Sequence, residues 1–453
     1  MSRTDKSHMK WPSSEKALQT ARSFLQQCAN CRSRTLLVPD KDADGLCASM
    51  IIYRTLTRLG LPSDQISVHF VAKGSNVHSA SEQERMEAYN PRFVIVADQG
   101  SRRGGPIVRG KDVDTLIVDH HWTDTEDDFP EGAIVLSAAR YPPIATSSTL
   151  SYILCKPLIG KGYQEEIDYL CAIGTYGDLG TSFDFKPSPP WPLEDIEVCV
   201  RRCTKKALGE AVALLNAPRR TATYDVHSAW DALLQAGTSP RSILSFTRLH
   251  AARREVNSEV AKVARNRPWF SGDGRVALIR VTNGAQIHPI IATRWAGSLK
   301  SKKLEVVMCA NDGYLPGMTN FSCRVAKCAK ERINGSGEGS VAAGKKRSAE
   351  ELEGDTDAEG KGVDIIAILN RYASQESGLR ESMGYNFARG HKEASGGIVR
   401  TEDFERLWKI MQDSKPEQNG DQAGQGRNAA KRRKKSSDFP AQKNTLEGWV
   451  TKN

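Results

Sequence analysis

Nowhere in its 453 residues does this chain carry an apolar run near the ~20 residues that a membrane-spanning helix needs. Its first stretch, Met1 to Pro12, is polar and lacks the hydrophobic segment of a secretion signal, so neither a membrane protein nor a secreted one is expected. A cysteine framework is missing too: the ten cysteines are scattered, a usage that suits free thiols in a reducing compartment. Cys28 and Cys31 make a CxxC with no second pair at zinc-ribbon spacing, and Cys199 with Cys203 falls on one helical face, so no zinc ribbon is expected. What the chain does have is positive charge, with 64 Lys and Arg against 54 Asp and Glu for a formal net charge of +10. A basic surface draws phosphate backbones from a distance, which favours an anionic partner without naming it. With 39% hydrophobic and 26% charged residues, the composition reads as globular protein carrying some polar, disordered sequence.

At roughly 150 residues per domain, the length allows two or three domains. A lead-in helix over residues 1–33 precedes a first domain over 34–218. Between Thr35 and about Gly180, short apolar runs alternate with longer helical stretches, which predicts an α/β layer on a largely parallel sheet. Leu36-Leu37-Val38 before Asp40, Phe93 to Val96 before Asp98, and Leu116-Ile117-Val118 before Asp119-His120-His121 read as three strands, with Gly45 to Leu59 as the helix after the first. Polar residues are thereby delivered to the C-terminal edge of the sheet, where loops converge and ligands bind in open parallel sheets. Residues 219–270 read as a helical connector. A smaller α/β domain over 271–412 follows, with strands at Arg275–Thr282, Glu305–Asn311 and Asn320–Ala326 and a helix at Pro289–Leu299. The Gly, Ser, Glu and Lys-rich stretch at 329–362 is expected to be a disordered insertion, since it has too little apolar surface to offset its ordering entropy, and 413–453 a disordered basic tail.

Asp40-Lys-Asp42-Ala-Asp44-Gly45 puts a carboxylate at every second position of a strand-to-helix loop, so several oxygens can face one point, as hard divalent cations prefer. Alone, the same run reads more readily as an acidic turn that caps the helix. Asp98, Asp119-His120-His121, and Asp178 in Gly174-Thr-Tyr-Gly-Asp178 are all expected on loops at one sheet edge. Together they add enough carboxylates and imidazoles for two divalent cations a few Å apart, an arrangement that stabilises both the attacking and the leaving oxygen in phosphoryl displacement. Oxygen ligands with imidazole suit manganese or magnesium, and the histidines favour manganese.

In this order the segments DKDADG (Asp40 to Gly45), VADQG (Val96 to Gly100), VDHH (Val118 to His121) and GTYGD (Gly174 to Asp178) resemble the motifs of the DHH phosphoesterase superfamily. The first is similar to that of the RecJ single-strand nuclease branch, and Val38 stands where the small-molecule phosphatases of the superfamily have a histidine. Downstream, Ile287-His288-Pro289 through Trp295, Asn320 through Arg324, and Gly390-His391 through Gly397 resemble the His-Pro, Ser-x-Arg and Gly-His segments of the DHH-associated domain. The likeness spans roughly residues 34 to 405, and departs where Ala388-Arg389-Gly390 replaces the usual run of glycines. The resemblance implies Asp42, Asp44, Asp98, His120 and Asp178 as metal ligands, Asp98 as their bridge and Asp40 as a stand-in for the absent histidine. It implies that His121 orients the scissile phosphate, that Asp119 fixes a neighbouring imidazole from behind, and that water activated by the cations is the nucleophile. Arg324, with its bidentate fork, and Gly390, His391, Gly396 and Gly397, with close backbone approach, would hold substrate phosphate.

Lys431-Arg-Arg-Lys-Lys435, with Lys345-Lys-Arg347 as a weaker companion, reads as a nuclear import signal or a nonspecific tether to nucleic acid, so the nucleus is expected, with the cytoplasm as the alternative. Leu446 and Trp449 are apolar anchors three residues apart that resemble a degenerate sliding-clamp box, with Lys443 and Gly448 departing from it. The whole reads as a single-strand exonuclease that prefers DNA to RNA and, by resemblance, cuts 5′ to 3′. Two alternatives stand beside it. One is a hydrolase of short oligoribonucleotides or small nucleotides using the same metal centre. The other is a non-catalytic replication scaffold similar to the DHH protein of the eukaryotic replicative helicase, against which the nearly complete ligand set counts. Exopolyphosphatases share the DHH core but not this second-domain pattern.

Overall fold

The computed structural model describes residues 11–123, 125, 127–143, 145–160, 162–185, 193–263, 265–335 and 362–415. The chain divides into two compact units between Glu255 and Val256. The first contains α1 (Glu15–Cys31), β1 (Thr35–Pro39), α2 (Ala43–Arg58), β2 (Ile66–Val68), α3 (Ala80–Glu87), β3 (Phe93–Ala97), β4 (Asp114–Asp119) and β5 (Ala133–Ser137). It continues through α4 (Ser147–Ile159), α5 (Glu165–Leu179), α6 (Glu194–Cys203), α7 (Lys205–Asn216), α8 (Val226–Gln235) and α9 (Arg241–Ser245) to α10 (Thr247–Val263), within which the division falls.

Strands β1 to β5 form a parallel sheet in the order β2-β1-β3-β4-β5. β1 and β3 are buried at every position and β4 at all but its first, because helices and loops cover both faces of a parallel sheet. Alternate residues still go to opposite layers. Leu37, Ile95, Leu116 and Val118 join a core with Leu46, Met50, Leu150 and Leu170, while Leu36, Val38, Val94, Val96 and Ile117 pack with Val77, Met86, Ile107 and Val108. The α/β class expected from the sequence is therefore observed. It has two strands beyond the three predicted: β2 is only three residues long, and β5 is buried at one position of five, so neither leaves a strong apolar signature.

Residues 219–255 are not a separate connector. Val226, Ala229, Trp230 and Leu233 recur at helical spacing on α8 and are buried in the first unit's core, together with Ile243 and Leu249. Burial also sets a measurable pH response at the start of α5. It pushes the Asp168 carboxyl up to about 6 against the Tyr152 hydroxyl, with Asp195 adding to the rise and Lys156 and Arg202 resisting it. The folded group then holds its proton more tightly than the unfolded chain does near 3.8, so its contribution is intact below about pH 4 and is lost as pH rises through about 6. Asp168→Asn should raise stability at pH 8 by up to about 3 kcal/mol and change little at pH 4, as read by thermal unfolding at the two pH values.

The second unit contains β6 (Trp269–Phe270), β7 (Val276–Val281), α11 (His288–Ser298), β8 (Val306–Leu315), β9 (Met318–Val325), α12 (Lys327–Gly335), α13 (Ile365–Ala373), α14 (Leu379–Ser382), β10 (Arg389–His391), β11 (Ala394–Arg400) and α15 (Thr401–Asp413). Its sheet runs β10-β11-β9-β8-β7-β6, antiparallel except for β7 and β8, between which α11 makes the crossover. Phe404, Leu407, Trp408 and Met411 give α15 one apolar face, buried with Ile365 and Leu369 of α13. This is the smaller α/β domain expected from the sequence. The stretch read as an insertion from residue 329 begins too early, because α12 runs to Gly335 and buries Ala329 in the core. The rest of that stretch, the tail beyond residue 415 and the Pro-rich 186–192 lie outside the described residues, and with them Lys345–Arg347, Lys431–Lys435, Leu446 and Trp449. All ten cysteines are free thiols. No helix among the described residues is long and apolar enough to cross a membrane.

Candidate metal centre

Sheet register builds the site. Pro39 pairs with Ala97 and Ala97 with Val118, so the next residues, Asp40, Asp98 and Asp119, stand in one row at the C-terminal ends of β1, β3 and β4. The ladder continues one step past the strands: Asp40 N–H donates to the Ala97 carbonyl and Asp98 N–H to the Val118 carbonyl, each at 2.9 Å. Asp98 then takes a left-handed backbone, φ 63°, which turns the chain out of the sheet at this point. Aspartate tolerates that region better than most residues, and such conformations persist where surrounding structure holds them.

The acidic run after β1 includes the helix cap that the sequence suggests. Asp42 is the N-cap of α2, accepting the Gly45 N–H at 3.3 Å. Asp44, in the first turn, is fully buried, and its two oxygens accept the Ser147 and Ser148 N–H groups at 2.7 and 2.9 Å from the first turn of α4. A helix N-terminus favours negative charge there. The Ser147 hydroxyl also donates to Asp98 Oδ1 at 2.8 Å. Neither serine is among the residues expected from the sequence. The signal that could have found them is the hydroxyl run Thr146-Ser147-Ser148-Thr149, whose first residue caps α4.

Asp178 lies on α5 rather than on a loop. Gly174 reads as a loop residue, but its function is close approach: a Cβ there would meet Ser148 Oγ at 1.8 Å and Asp44 Oδ1 at 2.8 Å. The missing side chain lets α5 press onto α2 and α4, which brings Asp178 Oδ2 to 3.2 Å from His120 Nε2. Gly174→Ala should cost about 1–3 kcal/mol through overpacking and weaken Mn2+ binding by displacing Asp44, seen by thermal unfolding and a metal titration of the same variant.

His120 Nε2 is also 3.3 Å from Asp98 Oδ1. His121 Nδ1 is 2.7 Å from Asp119 Oδ1, and Asp119 accepts the His120, His121 and Ser101 N–H groups at 2.8, 3.2 and 3.2 Å. Asp119 is thus spent within the protein and fixes the ring of His121. Ligand atoms fall into three groups, each within 4.8 Å: Asp40, Asp42 and Asp98; Asp44, Asp98, His120 and Asp178; and Asp98, His120 and His121. Asp98 belongs to all three. Asp40 is further tied to Lys41 at 3.0 Å.

Electrostatics explain what such a cluster needs. Burial and the charge of Asp178 push Asp44 up to about 7 against His120 and Ser148, and burial with Asp44 drives Asp98 well above the carboxylate range. Burial raises Asp42 too, but Arg219, Lys41 and the Gly45 N–H hold it below its usual value. For Asp119, burial is outweighed by His121 and the Ser101 hydrogen bond, which keep it low. Burial disfavours the imidazolium of His120, yet hydrogen bonds to Asp178 and Asp98 raise it, and His121 reaches about 10 because Asp119 overcomes the same penalty. These carboxylates are too close and too dry to ionise together without positive charge. A divalent cation relieves that repulsion, so the residues present fit one.

The loop leaving Asp98 borders a cleft of about 350 Å³ lined by Arg102, Arg103, Arg109 and His78. In the second unit, Arg324 and His391 both pair with Ala394, so they share one row and one face of the sheet, two strand spacings or ~10 Å apart at Cα. Arg324 donates to Ser322 Oγ and the Cys323 carbonyl, each at 2.9 Å, and His391 is exposed on the edge strand. The Gly-His segment is therefore a hairpin and not a loop. Its glycines are used by the sheet itself, since a Cβ at Gly396 would meet the Phe321 carbonyl at 2.4 Å, at Gly397 the Asn386 carbonyl at 2.7 Å, and at Gly390 the Ala394 carbonyl at 2.5 Å.

Residues 34–175 match the family model described as DHH family, N-terminal domain. Among solved structures, RecJ in complex with Mn2+ from Thermus thermophilus is similar at a TM-score of 0.56 and 16% identity, covering 88% of this chain and 54% of that one. Exonuclease RecJ bound to manganese is similar at 0.54 and 17%, covering 87% and 93%. The DHH domain of a member of a family of ribosomal proteins is similar at 0.58 and 12%, covering 88% and 91%. This chain thus spans about half the length of the Thermus RecJ chain, and at such identities the likeness is one of fold. No curated protein matches the sequence.

Proposed function

We propose that this chain, whose residues 34–175 match a DHH-family N-terminal domain and whose fold is similar to RecJ, is a metal-dependent phosphodiesterase that shortens single-stranded nucleic acid, DNA in preference to RNA. The observation that carries this reading is Asp98: one buried carboxylate common to three groups of ligand atoms would let two cations share a donor residue. Asp40, Asp42, Asp44, Asp98, His120 and Asp178 are the residues that would hold them. A bound pair stabilises charge on both oxygens of an in-line displacement and lowers the pKa of water. Manganese is favoured over magnesium because His120 brings imidazole to an oxygen-rich set, while the RecJ structures similar to this chain hold either manganese or magnesium.

The chain's own residues do the rest. His121 is fixed at Nδ1 by Asp119, and as an imidazolium it would have Nε2 left to donate to a non-bridging oxygen of the scissile phosphate. The cleft lined by Arg102, Arg103 and Arg109 on and near the loop that leaves Asp98 favours a polyanion over a mononucleotide. Arg324 and His391, on one sheet face, are assigned to a substrate phosphate, with Gly390, Gly396 and Gly397 leaving room for the close backbone contacts of this hairpin. Lys431–Lys435 is assigned to nuclear import and Leu446 with Trp449 to a sliding clamp, on sequence alone.

End-labelled single-stranded DNA, RNA and dinucleotides incubated with Mn2+ test the reading. Progressive shortening of DNA from its 5′ end is the expected result. Loss of dinucleotides alone would make the protein a small-substrate enzyme, and binding without cleavage would make it a scaffold.

A further inference from the structure

Trp122 follows His121 directly and is 63% exposed, the largest exposure of any big apolar side chain among the described residues. An indole left in water at that position forgoes the burial that stabilises most aromatic side chains. It is nonetheless held in place. The Arg140 guanidinium lies 4.3 Å from the ring centroid, and Arg140 is itself anchored by donating to the Thr123 carbonyl at 2.9 Å. Arg140 comes from the segment after β5, where Ala138 N–H bonds the Asp119 carbonyl at 3.1 Å, so ring and guanidinium stand at the sheet edge that carries the metal ligands. One face of the indole is against a cation, and the exposed area belongs to the remainder of the ring.

We propose that Trp122, backed by Arg140, is a stacking platform for the nucleobase of a nucleotide flanking the scissile phosphate. The inference rests on the phosphodiesterase reading and narrows its substrate. A flat ring beside the catalytic histidine serves a planar group and does nothing for inorganic pyrophosphate or polyphosphate. Base stacking tolerates every base, because each has a π-face, so the platform grips a strand without reading its sequence. Arg140 fixes the ring's orientation in advance and leaves less side-chain freedom to be lost on binding.

Steady-state hydrolysis of single-stranded DNA with Mn2+ tests this, using strands with one abasic site at each of the first three nucleotides from the attacked end. Trp122→Ala should lower kcat/KM on the intact strand about 5- to 150-fold, mainly through KM, and Trp122→Phe should recover most of the loss. At one abasic position the wild type should fall to the level of Trp122→Ala, and the variant should lose nothing more. The side chain is exposed, so its removal leaves the core intact. Trp122→Ala cutting the intact strand as well as the wild type does, or its deficit persisting undiminished on every abasic strand, overturns the platform while leaving the phosphodiesterase reading in place. A wild type that cuts no strand overturns both.

Discussion

Asp98→Asn should remove Mn2+-dependent hydrolysis almost completely while leaving the protein folded. Residues that merely support metal ligands change affinity or activity by about 10- to 100-fold, and a carboxylate common to every ligand group should exceed that range. Asparagine keeps the shape and can still accept the Ser147 hydroxyl bond, so the local packing survives. What is lost is the charge that two cations would share. The comparison variant is Asp119→Asn, whose partner is His121 and not a cation. It should retain metal binding and lose activity more modestly, about 10- to 100-fold. Equal loss of metal binding in both variants would show that Asp98 has no special place in the centre.

Mn2+ should raise the melting temperature of metal-free protein by roughly 5–10 °C at a hundredfold excess over its dissociation constant. Ligand linkage at that excess is worth about 2.7 kcal/mol, and a unit of this size shifts by about 2–4 °C per kcal/mol. The pH dependence has a definite sign. Asp44, up to about 7, and Asp98, also raised well above the carboxylate range, hold their protons more tightly folded than unfolded, so their contribution is present below about pH 4 and lost as pH rises through the folded values. His120 and His121, also raised, act in the same direction above pH 6.5. Metal-free protein should therefore melt lower at pH 8 than at pH 6, while the Mn2+ shift grows as protons leave the ligands. Metal-free Asp98→Asn should melt higher than the metal-free wild type at pH 8 and show a much smaller Mn2+ shift. Differential scanning calorimetry at the two pH values, with and without Mn2+, reads all of these.

The central strands are legible in the sequence because burial on both faces makes β1, β3 and β4 near-continuous apolar runs that stop at a charged residue. The same stops place Asp40, Asp98 and Asp119 at one edge, and the register puts them in one row. Elements whose signals are tertiary are not legible. Gly174 marks helix packing instead of a loop, so the sequence points Asp178 to the wrong element although to the right neighbourhood. Ser147 and Ser148 reach Asp44 across about a hundred residues, and no local pattern encodes that partner. Trp122 carries no periodicity, and only its exposure beside His121 draws attention to it. The α8 segment reads as a connector because its amphipathic face does not say which core it will cover.

Calorimetric titration of the metal-free protein with Mn2+, set beside Asp98→Asn, tests most directly the claim that these side chains form one shared centre. The account predicts two bound cations per chain in the wild type and one or none in the variant, with protons released on binding. A wild type that takes up no Mn2+ at millimolar concentration, or a variant that binds the same number with the same affinity, would contradict it.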